Sequence, residues 1–161
     1  MPEPPVVDSS PLIHLSRANH LDLLRVAGSR LVIPEAVITE IRAKGEADPT
    51  VRAVEARAWL KVVKVDRIPP EVVSWDLGAG ESATIAWARL HADCTSILDD
   101  RQARRCAASL GVPVLGTLGV VLRAKRAGLI PLARPVVEEL VSAGMYLLPA
   151  TVQQALALVG E

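Results

Sequence analysis

Aromatic rings are nearly absent from this chain of 161 residues: Trp59, Trp75, Trp87 and Tyr146 are all it has, with no Phe. That scarcity argues against recognition of single-stranded nucleic acid by base stacking, which needs aromatic platforms. Two cysteines, Cys94 and Cys106, are too few for a disulfide framework in a chain of this length. His14, His20 and His91 form no close ligand pair with each other or with a cysteine, so a structural zinc site has little support. Net charge is also missing, since 18 basic side chains balance 18 acidic ones, and half of the residues are hydrophobic. Intrinsic disorder, which needs the opposite balance, is excluded. No apolar run approaches the roughly 18 residues that cross a bilayer. The opening Met1-Pro2-Glu3-Pro4-Pro5 lacks the basic start and apolar stretch of a signal peptide, so a cytoplasmic protein without membrane partners is expected. Twelve prolines and ten glycines, scattered throughout, speak against a coiled coil.

What is present is an alternation of short β-branched runs with helical patterns, the mark of βαβ units and a parallel sheet. Strands are expected at Pro5 to Val7, Leu31 to Ile33, Lys61 to Val65, Thr95 to Leu98 and Val112 to Leu115, with a further one at Met145 to Leu148. Helices are expected between them, several of them opened by a cap-and-proline or closed by a glycine signal. Ser10 before Pro11, for example, reads as an N-cap, and Asp48 before Pro49 repeats the signal for a helix reaching about Trp59. Residues 66–79 read mostly as loop. No repeat or boundary interrupts the pattern. The expectation is one three-layer α/β domain over residues 1–161.

In an open parallel sheet, sites form beyond the carboxyl ends of the strands. Asp8 follows the first strand there, and with Ser10 read as the cap it has no structural task. Asp99 and Asp100 follow the apolar run Thr95 to Leu98. Capping the next helix uses one carboxylate and leaves its neighbour unexplained. Glu81 shares a helical stripe with Ile85, Ala88 and Ala92, which puts an acid on the inner face at a helix start. The bland alternative is a charge that complements the helix dipole. Glu40 lies beside the buried face formed by Val37, Ile38 and Ile41. Converging carboxylates without Cys or His partners are what a hard cation such as Mg²⁺ or Mn²⁺ requires. The chemistry that follows is phosphate hydrolysis. Residues 101 to 134 carry seven basic side chains and no acidic one, Arg101 and Arg104 among them. They could be a solvated helix face or a margin for a polyanion.

These residues carry a resemblance. Val6-Val7-Asp8-Ser9-Ser10-Pro11-Leu12-Ile13 resembles the opening motif of PIN-domain nucleases, a strand, an Asp, a small hydroxyl residue and an apolar helix. Ile33-Pro34-Glu35-Ala36-Val37-Ile38-Thr39-Glu40 is similar to the family's second acidic segment, Gly80-Glu81-Ser82-Ala83-Thr84-Ile85-Ala86 to the third, and Ile97-Leu98-Asp99-Asp100 to the fourth. The resemblance implies a PIN-like fold, a mainly parallel central sheet between helices, and an Mg²⁺- or Mn²⁺-dependent ribonuclease site. Under it, Asp8, Glu40, Glu81, Asp99 and Asp100 are the catalytic set. Of these, Asp8, Glu81, Asp99 and Asp100 face the metal, while Ser10, Arg101 and Arg104 face the RNA. The strings LGAGE, ILDDRQAR and GTLGVVLRAKRAGLI are similar to those of one poorly characterised PIN subgroup. Many members are VapC-type toxins, which implies a small antitoxin protein as partner, and the family suggests a homodimer with Leu12 to Leu24 as contact surface. VapC toxins usually carry Thr-x-Asp after the fourth strand, and here Leu98-Asp99-Asp100 stands in that place. Counting back from Gly111 favours Asp100 as the fourth acid, and the strand end favours Asp99. The third acid is Glu where Asp is commoner.

Other classes fit less well. A haloacid-dehalogenase-type phosphatase needs a second Asp two residues after the first, where Ser10 stands. A receiver domain wants its acidic pair directly after the first strand. The remaining alternative is a PIN-like module that binds partners without turnover.

Overall fold

The computed structural model of the protein describes residues 2–161. Five parallel strands form one sheet: β1 (Val6–Val7), β2 (Leu31–Pro34), β3 (Leu60–Val63), β4 (Ser96–Ile97) and β5 (Val114–Leu115), in the order β3-β2-β1-β4-β5. β1 is in register with both neighbours, Val6 opposite Val32 and Ser96, and Val7 opposite Ile97. The helices are α1 (Ser9–Arg17), α2 (Glu35–Arg42), α3 (Thr50–Glu55), α4 (Pro70–Val73), α5 (Ala79–Leu90), α6 (Arg101–Ser109), α7 (Thr117–Arg126), α8 (Arg134–Ser142) and α9 (Pro149–Ala157), with a 3₁₀ turn at Leu21–Val26. None is long and apolar enough to cross a membrane among the described residues.

Period-two alternation sorts the strand residues between two cores, one on each side of the sheet. Val7, Leu31, Ile33, Ile97 and Leu115 join a core with residues of α1, α2, α7, α8 and α9. Val6, Val32 and Leu98 point the other way, to Val72, Ile85, Ala103 and Cys106 of α4, α5 and α6. Helix–sheet–helix layering follows directly from apolar residues on both strand faces. The chain winds outward from β1 in one direction to β2 and β3 and in the other to β4 and β5, so the reversal lies between β1 and β4. A crevice opens at such a reversal beyond the carboxyl strand ends. Asp8 and Asp99 stand there.

Several expectations change. No strand forms at Met145 to Leu148: the four residues bridge α8 and α9 without a sheet partner, beginning after Gly144 at φ +107° and ending before Pro149, which keeps Leu148 extended. Met145 enters the core and Leu147 packs against it. The helix after Pro49 stops at Glu55, because Leu60 must already pair with Leu31 in the sheet. The short helix α4 interrupts the expected loop 66–79. The leucines between Leu12 and Leu24 are not a free surface for a second copy. Leu12, Leu15, Leu21 and Leu24 are buried in the core of the single chain.

Candidate active site

Asp8 follows β1 and its backbone N–H donates to the carbonyl of Ile97 (3.1 Å), so the sheet itself sets its position. It occupies the N-cap position of α1 in an extended conformation, yet its side chain caps nothing. Ser10, expected as that cap, is instead the second residue of the helix, which begins at Ser9. Asp8 is 1% exposed, and its Oδ1 is buried without a hydrogen-bond partner. A buried carboxylate in this condition resists ionisation. Burial raises its pKa from 3.8 to about 7 against the pull of the Ser9 backbone N–H, and the charges of Glu81, Glu40 and Asp99 add to the rise.

Glu40 reaches the crevice from α2. Its Oε1 accepts from the Gly80 backbone N–H at 2.7 Å and its Oε2 from the Ser9 hydroxyl at 2.9 Å. Three helices, α1, α2 and α5, are thereby joined on one carboxylate. Gly80 is required for this approach, since a Cβ there would sit 2.5 Å from Glu40 Oε2. Glu81 lies one residue on, and its Oε2 accepts from the Gly78 N–H at 3.3 Å, closing back over the start of α5. The helix-end role weighed from the sequence is therefore real. Glu81 nevertheless stays within the field of the other acids: burial first, then the charges of Asp100 and Glu40, raise its pKa above the ordinary value while the Gly78 N–H lowers it.

The adjacent aspartates divide their duties. Asp100 is exposed and its Oδ2 accepts from the Ala103 N–H at 2.9 Å, which makes it the N-cap of α6. Asp99 turns inward. Its Oδ1 accepts from the Thr117 N–H and its Oδ2 from the Thr117 hydroxyl, both at 2.7 Å, so it anchors the start of α7. Arg104 stands beside it, close enough to Gly116 that a Cβ there would meet its guanidinium at 2.5 Å. Asp99, Arg101, Arg104 and Arg105 line one open groove. Ser10 is half-buried and makes no side-chain hydrogen bond among the described residues; its neighbour Ser9 makes the contact to Glu40.

The structure thus gathers the sequence candidates at one end of the sheet. Sequence reasoning missed Ser9, Thr117, Gly80 and Gly116, which fix the acids and Arg104 in place. Ser9 was adjacent to Asp8, and Thr117 lay in the Gly-Thr-Leu-Gly string, but neither spacing revealed its partner. His14 was missed as well. It lines the hollow next to Asp99, and burial holds its imidazole below the ordinary histidine range.

Among the described residues no three His, Cys, Asp or Glu side chains form a ready grip for a metal ion. The donor set still fits a hard cation. All the donors are carboxylate oxygens, one of them is buried and unpartnered, and their charges oppose each other's ionisation. Mg²⁺ in particular keeps several waters and takes only one or two carboxylates directly.

Residues 4–161 match the family model described as a PIN domain (DUF3368). No curated protein matches the chain significantly.

Proposed function

The chain belongs to the PIN-domain family, and from that premise we propose that it is an Mg²⁺- or Mn²⁺-dependent endoribonuclease. PIN domains are generally nucleases, enzymes that hydrolyse phosphodiester bonds. One observation carries the finer reading. Asp8 Oδ1, buried and without a partner at the β1–β4 crevice, lies within the field of three further carboxylates. A carboxylate so placed is costly to a protein with no use for it.

Asp8 is the direct metal ligand in this reading. Glu81 and Asp99 face the ion directly or through water, and Asp100, exposed at the rim and already spent on α6, contributes charge. A bound divalent cation supplies a water of lowered pKa and neutralises charge on the phosphoryl oxygens. The remaining duties fall to the chain itself. Glu40, fixed by Ser9 and Gly80, holds a negative charge at a constant position beside Asp8. Glu81, whose pKa is raised by burial and by the charges of Asp100 and Glu40, is suited to take a proton from the attacking water. Arg101 and Arg104 hold the phosphates flanking the cut, and Ser10 stands at the edge of the RNA path. Thr117 keeps Asp99 from swinging out of the crevice.

A toxin role, silenced by a small antitoxin protein, is the biological setting we propose for this activity in the cytoplasm. Homodimerisation belongs to the same proposal on a different surface from Leu12 to Leu24. Leu129, Leu132 and Leu158 are exposed on segments 127–133 and 158–161, which Glu161 ties together by accepting from the Ala133 and Arg134 N–H groups.

The test is thermal unfolding of metal-free protein titrated with Mn²⁺ or Mg²⁺. Binding to the native state alone raises the melting temperature. The wild type should shift and Asp8→Asn should not. No shift in the wild type would leave a PIN-like module that binds partners without turnover.

A further inference from the structure

The groove beside Asp99 has a second wall that the proposed chemistry leaves unused. Two adjoining hollows, of about 710 and 600 Å³, share Asp99, Arg104, Val114, Tyr146, Leu147 and Thr151, so they form one groove that passes Asp99. Its basic wall is the face of α6. Among the described residues no carboxylate stands within ion-pair distance of Arg101, Arg104 or Arg105. Arg104 is set in place against the bare backbone of Gly116. The opposite wall is the bridge between α8 and α9. Met145, 6% exposed, pins that bridge to the core, while the next residue, Tyr146, is 84% exposed. The only tyrosine of the chain therefore projects into the groove from a fixed base, opposite unpaired arginines.

Resting on the nuclease reading, we propose that Tyr146 is a base-stacking subsite, and that the groove takes single-stranded RNA with one unpaired base on this ring and flanking phosphates on Arg104 and Arg105. A tyrosine ring held open to water offers a flat apolar face that any nucleobase can cover. Arginines without carboxylate partners bind the backbone and read no sequence. Together they favour an unpaired strand, because in a duplex the base faces are already stacked. The scarcity of aromatic residues excludes a row of such platforms and leaves room for one.

The experiment is equilibrium binding in EDTA, where turnover is absent. The probes are a fluorescein-labelled oligoadenylate, the same strand paired with oligouridylate, and a version with a run of abasic positions. Tyr146→Ala should bind the single strand about tenfold more weakly than wild type, and Tyr146→Phe should bind it as wild type does. Neither variant should change affinity for the duplex or the abasic strand. Equal binding of the single strand by wild type and Tyr146→Ala would overturn the subsite, as would an equal loss on all three probes. Failure of the wild type to bind any probe would also overturn it and leave the groove to a protein segment. Cleavage by the wild type with Mn²⁺ is scored separately. A Tyr146-dependent preference for single strands without cleavage would leave this subsite standing while the nuclease reading falls. Cleavage with no role for Tyr146 would do the reverse.

Discussion

The carboxylate of Glu40 rests directly on the backbone of Gly80, its Oε1 accepting from the glycine N–H at 2.7 Å and its Oε2 only 2.5 Å from where a Cβ would be. Gly80→Ala cannot coexist with this contact. The displaced group is the far end of a flexible side chain, so Glu40 can yield by rotating, and the expected stability loss is that of the broken hydrogen bonds, about 1–2 kcal/mol. Activity should fall much further than stability, because the fixed charge leaves the crevice. Denaturant unfolding and RNA cleavage, measured on the same preparation, separate the two effects. Glu40→Gln, which keeps an acceptor for Gly80 without the charge, should retain most stability and lose activity.

Asp8 makes the metal-free protein depend on pH in an unusual direction. Its folded pKa of about 7 lies above the value of 3.8 for an exposed carboxyl, so between these values the native state binds the proton that the unfolded state releases. This group therefore opposes folding above pH 7, and the penalty is lifted as pH falls toward 4. Urea midpoints in EDTA, taken at pH 5 and pH 8, should show Asp8→Asn gaining stability over wild type at pH 8 and keeping only a smaller part of that advantage at pH 5. A loss of several kcal/mol in Asp8→Asn at pH 8 would make Asp8 a structural residue instead.

Thr117 anchors Asp99 with both its N–H and its hydroxyl. Thr117→Val preserves shape and the N–H bond but deprives Asp99 Oδ2 of its donor. A stability loss of about 1–2 kcal/mol is expected, with reduced cleavage, while Thr117→Ser should restore the hydroxyl and most of the activity.

Arg104 should matter for binding and not for folding. Arg104→Ala removes one phosphate contact, and the plot of log affinity for RNA against log salt should flatten by about one contact's worth. An unchanged slope with unchanged affinity would place the RNA elsewhere. Gly116→Ala, which pushes the guanidinium from its seat, should reproduce part of the same loss.

Much of this arrangement was legible in the sequence. Val6-Val7 and Ile97-Leu98 are apolar on both faces, and a run of that kind ending in Asp locates both a central parallel strand and an acid beyond it. Glu81 was legible from helical spacing, and Glu40 mainly through the resemblance of its segment. Which of Asp99 and Asp100 turns inward is visible only in three dimensions. Both follow the same strand, and only the arrival of Thr117, 18 residues later, shows which turns inward. The cap of α1 misled for a local reason: Ser10 before Pro11 satisfies the N-terminal rules, but the helix begins at Ser9, and the cap position falls to a side chain that leaves it unused. The bridge at Met145 to Leu148 has strand composition, and nothing local reveals that β5 offers it no partner. Tyr146 was visible only as a letter until its exposure could be seen.

If the crevice around Asp8 cuts RNA with a divalent cation, cleavage must depend on both the cation and this carboxylate. The most direct measurement is cleavage of a panel of single-stranded RNAs by metal-free protein after addition of Mn²⁺, wild type against Asp8→Asn, with RNA binding measured in parallel. Wild type should cut only when the metal is added, and Asp8→Asn should bind RNA but leave it intact. Cleavage by Asp8→Asn at the wild-type rate, or cleavage that proceeds equally well in EDTA, would mean that the Asp8 crevice is not a metal-dependent nuclease centre.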